Sequence, residues 1–305
     1  MRRIWITTLI FAGLAVPALP VLADIEDDQR GCVSGPNDVA VIAACSRVLG
    51  SSRLSPHNRA VTYYNRGLAY QREKRYVAAV SDFTRSVQLN PGAAATYYNR
   101  GVAHHWLKQY RKAIKDYSLA LKINPKASLA LYSRGLAHSA VKDFKAAIAD
   151  QSAAIFMNPK ADPPYFARAL AHAKSGGHKK AVADYGRAIA ISPHVANYYV
   201  KRALAKRKLR RERDAINDFG KAIDLQPSNA RYYNLRGMGY VRTKRFARAL
   251  ADFNRAIALD PTLNQAFANR GFVHERLGHK RMALRDYQRA LKLKKARLLR
   301  LRKTR

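Results

Sequence analysis

The sequence is poor in acidic residues and in cysteine. Only 20 Asp and Glu stand against 57 Lys and Arg among its 305 residues, so the formal net charge is +37. Its two cysteines, Cys32 and Cys45, form no Cys-x-x-Cys pair, the spacing typical of structural zinc sites and thiol redox motifs. Beyond residue 23 no run is apolar enough to cross a membrane. These shortages argue against a zinc ribbon and against a protein with several membrane spans.

Recognisable catalytic motifs are also missing. The sequence has no His-Glu-x-x-His helix, no Walker-type phosphate loop and no Gly-x-Ser-x-Gly elbow. Gly237 and Gly239 make a lone Gly-x-Gly match inside a segment with helical spacing, and this match carries no weight. We therefore predict no catalytic residue, no metal site and no cofactor, and we expect a protein that is not an enzyme.

What the sequence does contain is a repeat with a period of 34 residues, and seven copies fit it. Three columns keep one residue type throughout. The arginine column is Arg66, Arg100, Arg134, Arg168, Arg202, Arg236 and Arg270. The aspartate column is Asp82, Asp116, Asp150, Asp184, Asp218, Asp252 and Asp286. The alanine column is Ala79, Ala113, Ala147, Ala181, Ala215, Ala249 and Ala283.

Each copy has the spacing of two helices. In the first copy, apolar or small residues fall three and four positions apart over 63–70 and again over 79–87. Pairing the positions that face each other across two antiparallel helices places the turn at Lys74 and Arg75, and Gly67 opposite Phe83. One such hairpin cannot bury its own apolar stripe, so the copies are expected to stack into a solenoid.

A 34-residue unit with aromatic, Gly, aromatic, Ala, aromatic, Ala and Pro in this order resembles the tetratricopeptide repeat, or TPR. The resemblance implies an all-α solenoid, wound as a right-handed superhelix whose first helices line a concave groove. It also implies a role in holding peptides or other proteins, without identifying them. The seven units are predicted at positions 60–93, 94–127, 128–161, 162–195, 196–229, 230–263 and 264–297.

The first 23 residues have the pattern of an export signal. Two arginines precede an apolar run at positions 4–16, and small residues precede Asp24. We expect cleavage after Ala23 and a periplasmic location. The alternative is an uncleaved signal that anchors the protein in the inner membrane. Residues 24–59 are predicted to form a separate N-terminal cap, and residues 298–305 a basic tail.

The N-terminal cap holds both cysteines. Asn37 or Asp38 can begin a short helix that ends at Gly50, and the loop after Cys32 is long enough to reach Cys45 on that helix. Because an oxidising compartment keeps nearby thiols paired, we predict a Cys32 to Cys45 disulfide, with two free thiols as the alternative. This stretch ahead of the repeats resembles exported bacterial TPR proteins.

The arginine and aspartate columns stand almost level across each predicted hairpin. We therefore predict a structural ion pair in every copy, beginning with Arg66 and Asp82. The alternative of seven catalytic carboxylates is disfavoured, because a periodic placement follows the fold rather than a cleft.

Four histidines share one further column: His104, His138, His172 and His274. Equivalent residues in neighbouring copies lie about 8 to 10 Å apart, too far to share a metal ion, so we predict core or half-buried rings.

Two columns of the predicted first helices are expected to face the groove. The aromatic ladder is Tyr64, Tyr98, Tyr132 and Phe166. The cationic column includes Arg72, Lys174, Lys208, Arg242 and Arg276. Aromatic surface beside a row of cations suits an extended peptide that is acidic or has a free carboxylate. The alternative is that the rings pack against neighbouring helices and the bases are only solvated.

From these features we expect a non-enzymatic scaffold that binds a protein or peptide segment in its groove. The alternative is a polycationic envelope protein that contacts anionic lipid, lipopolysaccharide or acidic polymer through its basic surface and tail, since positions 292–305 carry eight bases and no acid. Predicted export disfavours nucleic acid as a partner, and the sequence is silent on oligomeric state. Salt separates the two hypotheses, because groove packing survives screening and diffuse charge does not.

Overall fold

The computed structural model describes the backbone of residues 20–303 and the side-chain surroundings of residues 26–300. This part of the chain contains sixteen α-helices and no β-strand, which confirms the predicted all-α class. The helices are α1 (Pro20–Ser34), α2 (Asp38–Gly50), α3 (Pro56–Arg72), α4 (Tyr76–Leu89), α5 (Ala94–Trp106), α6 (Tyr110–Ile123), α7 (Ser128–Ala140), α8 (Phe144–Met157), α9 (Asp162–Lys174), α10 (His178–Ile191), α11 (Ala196–Lys208), α12 (Glu212–Leu225), α13 (Ala230–Arg242), α14 (Phe246–Leu259), α15 (Asn264–Arg276) and α16 (Lys280–Lys303).

The first of two compact units ends at Pro125 and contains α1 to α6. The pair α1 and α2 packs on α3, and the hairpins of α3 with α4 and of α5 with α6 follow. Asn37 caps α2, as predicted, by accepting a hydrogen bond from the Ala40 amide at 2.9 Å. The sequence did not indicate α1, because charged and polar residues dominate positions 24–31 and no apolar stripe is visible there.

A disulfide joins Cys32 in α1 to Cys45 in α2, with the two Cα atoms 4.6 Å apart. Both cysteines are buried in one cluster with Val41, Ala44 and Ala69 of α3. The bridge therefore lies where the N-terminal cap packs on the first repeat hairpin.

The second compact unit begins at Lys126 and contains α7 to α16. Its ten helices form five consecutive hairpins, and the second helix of each of the first four packs on the first helix of the next. Stacking of this kind covers the apolar stripe that a single hairpin leaves open. Within each unit the packing is that of the predicted helix-hairpin solenoid.

A glycine allows the two helices of a hairpin to approach each other closely. A Cβ added at Gly67 would lie 2.7 Å from Cε1 of Phe83, and one added at Gly237 would lie 2.6 Å from Cε1 of Phe253. No real Cβ comes so close to a neighbour, so the ring occupies the space that a side chain would need. The third copy differs, because Gln151 takes the place of the ring in its core.

Every hairpin turn contains one residue with positive φ, and all seven occupy the same column of the repeat. Five are basic, with φ between +57° and +66°: Lys74, Lys108, Lys142, Arg210 and Lys244. The other two are Gly176 and Gly278. In the first turn the Arg75 amide donates to the Tyr70 carbonyl at 2.8 Å, and the Lys74 amide donates to the Gln71 carbonyl at 3.0 Å. These two bonds form the Schellman motif of a helix C-terminus, at the position predicted for the turn.

The last helix, α16, is longer than the other second helices. A proline follows the second helix in each of the first six copies, whereas Lys295 at that position lets α16 continue to Lys303, through most of the predicted basic tail. Among the described helices, none is both long enough and apolar enough to span a membrane. The predicted signal at 1–23 lies outside the described residues, apart from its last four, which begin α1.

Candidate functional site

The predicted aromatic ladder is partly exposed, and in the first unit each of its rings rests on its own hairpin. The Tyr64 ring lies 6.0 Å from the Phe83 ring, and the Tyr98 ring lies 5.8 Å from the Tyr117 ring, measured between centroids. The Tyr64 hydroxyl accepts a hydrogen bond from Asn99 Nδ2 at 3.1 Å. Burial raises the pKa of Tyr64, and the bond from Asn99 partly opposes that rise. One side of each ring is thus used within the hairpin, and part of its surface stays open.

In the second unit the ladder includes a ring that the sequence did not single out. Tyr132 lies on α7 and Phe166 on α9, and the Phe166 ring centroid is 4.7 Å from that of Tyr198 on α11. The Tyr198 hydroxyl donates to the carboxylate of Asp162 at the start of α9. Burial raises the pKa of Tyr132, and the charge of Asp162 raises it further. The two adjacent tyrosines Tyr198 and Tyr199 could have indicated this extra ring. The repeat pattern did not single out Tyr198, because Tyr199 already fills the regular aromatic position.

The residues of the predicted cationic column have different surroundings. Arg72 forms an ion pair with Asp38 of α2, with 2.6 Å between Nη2 and Oδ1. The Arg276 guanidinium lies over the Phe272 ring, 5.0 Å from its centroid. Lys174 is exposed at the end of α9. The structure therefore assigns Arg72 to holding the N-terminal cap on α3, a contact that the repeat pattern could not show.

Two members of the cationic column, Lys208 and Arg242, line one open pocket of about 720 Å³. Arg207 and Arg210 add two more guanidinium groups, and Leu204 contributes an apolar wall. Lys208 ends α11 and Arg242 ends α13, so two neighbouring hairpins bring these charges together. We call this site, lined by Leu204, Arg207, Lys208, Arg210, Glu212 and Arg242, the cationic pocket.

Glu212 is the one carboxylate that lines the cationic pocket. Its Oε1 lies 3.6 Å from Arg207 Nε and 3.6 Å from Arg242 Nη1, which is ion-pair contact without good hydrogen-bond geometry. Burial raises the pKa of this carboxyl group. Four cations against one carboxylate leave the pocket with an excess of positive charge, which suits an anionic ligand group.

The predicted Arg and Asp partners meet in all seven hairpins. In each pair, Arg Nε and Nη2 donate to the two Asp oxygens over 2.6 to 2.9 Å. All seven carboxylates are buried. Nη1 reaches the preceding hairpin in several copies, as in the bond from Arg168 to Ser152 Oγ at 3.0 Å and from Arg270 to Asn254 Oδ1 at 2.8 Å. Such an arginine joins three helices, and only its contact within the hairpin was visible in the sequence.

The histidine column lies beside these carboxylates. His104 Nε2 is 3.8 Å from Asp116 Oδ2, and His172 Nε2 is 4.0 Å from Asp184 Oδ2. Burial lowers the pKa of both imidazoles, and the neighbouring carboxylates partly oppose that change. Within the part of the chain that the structure describes, no three His, Cys, Asp or Glu side chains are placed to hold a metal ion.

Comparisons with known proteins bear on the repeat. Two family models, both described as the tetratricopeptide repeat, match residues 60–92, 94–127 and 200–264. No curated protein sequence matches the chain. The matched segments follow the same 34-residue register as the other copies.

Solved structures of TPR proteins share the fold. A TPR protein from Parabacteroides merdae is 20% identical, with 82% of this chain and 99% of that chain covered and a TM-score of 0.60. The C-terminal part of a TPR repeat-containing protein from Cytophaga hutchinsonii is 17% identical, with 80% and 96% covered and a TM-score of 0.65. YrrB, described as a TPR protein with an unusual peptide-binding site, is 18% identical, with 60% and 95% covered and a TM-score of 0.53. Residues 60–92, 94–127 and 200–264 therefore match tetratricopeptide repeats in sequence, and the chain shares the fold of solved TPR proteins.

Proposed function

We propose that this protein is a non-enzymatic scaffold that binds a protein or peptide segment along the first helices of its repeats. The partly exposed aromatic ladder carries the proposal: Tyr64 and Tyr98 in one unit, Tyr132 and Phe166 in the other. Rigid, half-buried rings offer contact area at a low cost in conformational entropy, as peptide-binding surfaces need. Solenoid repeats commonly bind partners on such surfaces, and the similar YrrB structure is described as having a peptide-binding site.

The bound segment is proposed to be acidic or to present a free carboxylate. The cationic pocket supports this chemistry, because guanidinium groups pair with carboxylates through two parallel hydrogen bonds. Its apolar wall, Leu204, suits a ligand whose charge is next to an apolar side chain. Asp162 is a carboxylate near Tyr132 and Tyr198, but it does not line the cationic pocket, whose excess of positive charge carries the preference.

To test this, the chain from residue 24 to 305 is immobilised and exposed to a display library of random peptides about 12 residues long. Bound peptides are washed at about 0.15 M and then at about 0.5 M salt. The double variant Lys208→Ala/Arg242→Ala should weaken the selected peptides by at least about tenfold. The matched control, Arg187→Ala/Arg255→Ala, removes the same charge from exposed positions on second helices. The acidic-ligand proposal fails if both double variants weaken binding equally, or if the selected peptides are not acidic.

The aromatic ladder itself is tested by Tyr98→Ala/Tyr132→Ala, which removes one ring from each unit. This variant should lose the peptides that resist about 0.5 M salt, because apolar contact with the rings is not screened. If no peptide survives that wash, and acidic polymer or anionic lipid binds only at low salt, the polycationic alternative replaces the scaffold. The polycationic alternative rests on the residues outside the seven buried ion pairs, which comprise 50 bases and 13 acids.

We also propose that the protein is exported. The predicted signal at 1–23 supports export, and so does the Cys32 to Cys45 disulfide, because such bonds persist in oxidising compartments. Mass spectrometry of the protein from a cell envelope fraction should find an N-terminus at Asp24 and the bridge intact without reductant. An intact Met1 or two free thiols would contradict cleavage or pairing, respectively.

A further inference from the structure

The outer face of α16 is uncovered, although the same face is covered in earlier hairpins. Leu284 and Leu291 on this face are each 59% exposed. Their equivalents in the fifth copy, Ile216 and Ile223, are each 6% exposed, and there α13 packs on α12. In all six earlier copies both positions are buried or half-buried. The face of α16 thus has the residues of a stacking surface without a neighbour among the described residues.

The length of α16 shows that this face is not the start of another hairpin in the same register. The second helix of the fifth copy, α12, has 14 residues, whereas α16 has 24 and continues through the positions where earlier copies turn. Leu298 follows Leu284 and Leu291 at the same interval of seven residues and is 52% exposed, and its neighbour Leu299 is 59% exposed. Seven residues make nearly two turns, so these leucines lie on one side of the helix. We call Leu284, Leu291, Leu298 and Leu299 the α16 stripe.

The repeat itself does not explain the whole α16 stripe. Terminal repeats of solenoids usually present a polar outer face for solubility. Here leucines remain on the outer face of the last described hairpin, and Leu298 and Leu299 follow them in the extension of α16. A face of this kind, with apolar residues seven apart, is typical of a helix that pairs with another helix.

The charges around the α16 stripe indicate the charge of its partner. The helix carries 11 Lys and Arg and one acid, Asp286, which is held by Arg270 at 2.6 Å. A second copy of α16 would bring the same excess of cations into contact, so charge disfavours pairing between two copies. An acidic partner would relieve the excess.

A polar residue within the stripe favours a protein helix over a lipid surface. Gln288 lies between Leu284 and Leu291, in the column that Asn254 occupies on α14. There Arg270 of the next hairpin donates to Asn254 Oδ1 at 2.8 Å. Gln288 offers an amide oxygen at the equivalent place, which a donor on a packed helix can use and a lipid tail cannot.

We propose that the α16 stripe binds an acidic amphipathic α-helix of a partner protein, which packs where a following hairpin would. This surface uses no residue of the aromatic ladder or the cationic pocket, so the inference is independent of the proposed peptide binding. Leucines on the partner helix cover the α16 stripe, and its carboxylates face the flanking bases.

The test uses a fluorescent synthetic peptide of four heptads, with leucine at the a and d positions and glutamate at the others. Its binding to the chain from residue 24 to 305 is followed by anisotropy at about 0.15 M salt. Leu291→Gln/Leu298→Gln should weaken binding at least about tenfold, because two apolar contacts are lost. Val77→Gln/Leu129→Gln, at apolar residues of α4 and α7 that are 72% and 66% exposed, is the matched control and should change binding by less than about twofold. Because the aromatic ladder is proposed to bind acidic segments as well, the comparison is repeated in the Tyr98→Ala/Tyr132→Ala background, where the loss on Leu291→Gln/Leu298→Gln should remain about tenfold.

Three outcomes overturn the proposal. A scrambled peptide of the same composition that binds equally well would reduce the interaction to charge. Failure of the peptide to bind, while vesicles of equimolar phosphatidylcholine and phosphatidylglycerol bind through Leu291 and Leu298, would make the stripe a membrane surface. A dimer in analytical ultracentrifugation that Leu291→Gln/Leu298→Gln abolishes would assign the stripe to a second copy. Circular dichroism melting checks that each variant folds, as expected for exposed side chains.

Discussion

At the scale of single residues, each hairpin turn has one residue with positive φ, at the same position of every repeat. Five turn residues with positive φ carry a long basic side chain, although a Cβ makes left-handed backbone unfavourable by roughly 1 kcal/mol. Each lies just after the C-terminus of a first helix, where a positive charge interacts favourably with the helix dipole. The Schellman hydrogen bonds then hold the conformation.

Replacing one of these residues with glycine should stabilise the protein. Lys142 has φ of +66°, and Lys142→Gly removes the strain, so we expect the free energy of unfolding to rise by about 0.5 kcal/mol. Lys145→Gly, at an exposed position in the first turn of α8, relieves no positive φ and should lower it by up to about 0.5 kcal/mol. Urea denaturation measures both. If Lys142→Gly is as harmful as Lys145→Gly, the charge of the turn residue matters more than its backbone strain.

At the scale of the hairpin, two devices hold the helices together: a glycine under an aromatic ring and a buried ion pair. The fifth copy has the most heavily charged version of the second device. Asp218 accepts from Arg202 through both oxygens, and Lys206 Nζ lies 2.7 Å from Asp218 Oδ2. Removing such a carboxylate leaves two partly buried cations without their counter-charge.

Asp218→Ala should therefore lower the free energy of unfolding by about 3 to 5 kcal/mol, the usual cost of stranding a buried charge. Asp218→Asn keeps one acceptor oxygen and should cost less. Asp224→Ala is the control, because the Asp224 side chain is 68% exposed and should contribute less than about 1 kcal/mol. Thermal melting would contradict the structural role of the pair if the two Asp218 variants were both as harmless as the control.

The third copy lacks the aromatic ring that packs over the glycine, so its stability should be open to improvement. Gln151 is 1% exposed, and although its Nε2 donates to the Tyr132 carbonyl at 2.9 Å, its buried Oε1 has no hydrogen-bond partner among the described residues. The equivalent residues Phe219 and Phe253 are fully buried rings. We expect Gln151→Phe to raise the free energy of unfolding by about 1 to 3 kcal/mol, as an unsatisfied polar group is removed. Gln88→Phe on the surface should have little effect, and a lower melting temperature for Gln151→Phe would mean that the third hairpin is too tight for a ring.

At the scale of the whole molecule, charge dominates. The formal net charge of +37 makes binding of anionic surfaces a constant background. The peptide selection therefore needs its charge-matched variant and salt wash, and the α16 experiment needs its scrambled peptide of equal charge. Stability also depends on pH through three buried or half-buried histidines. Burial lowers the pKa of His104, His172 and His274, so the unfolded chain takes up protons more readily than the folded chain.

The contribution of these histidines is complete above the unfolded pKa of about 6.5 and is lost as the pH falls toward the lower folded pKa. We expect the melting temperature to fall between about pH 7.5 and pH 5. For His104, the charges of Arg100 and Lys112 act with burial, and Asp116 partly opposes it. His104→Tyr/His172→Tyr places in this column the residue that Tyr70 and Tyr240 already have, and it should flatten the dependence. If the pH profile did not change, the loss of stability at low pH would come from other groups.

The sequence by itself determined the main contacts that repeat within each hairpin. A strict interval of 34 residues specified the two helices of each copy, the turn at Lys74, the ring over Gly67 and the pairing of Arg66 with Asp82, because identical spacing produces identical contacts within a hairpin. The spacing of the two cysteines and the predicted export also suggested the Cys32 to Cys45 bridge. The helix α1 was missed, since its mostly polar sequence has no period.

Only the tertiary structure decided features that depend on which elements come together. Lys208, Arg242 and Arg72 share one column of the repeat. Lys208 and Arg242 line the cationic pocket, whereas Arg72 holds the N-terminal cap. Leu291 shares a column with Ile223, yet one is exposed and the other buried. The physical reason is that a column fixes how a residue is placed in its own hairpin, whereas burial and charge pairing depend on the neighbour that packs against it.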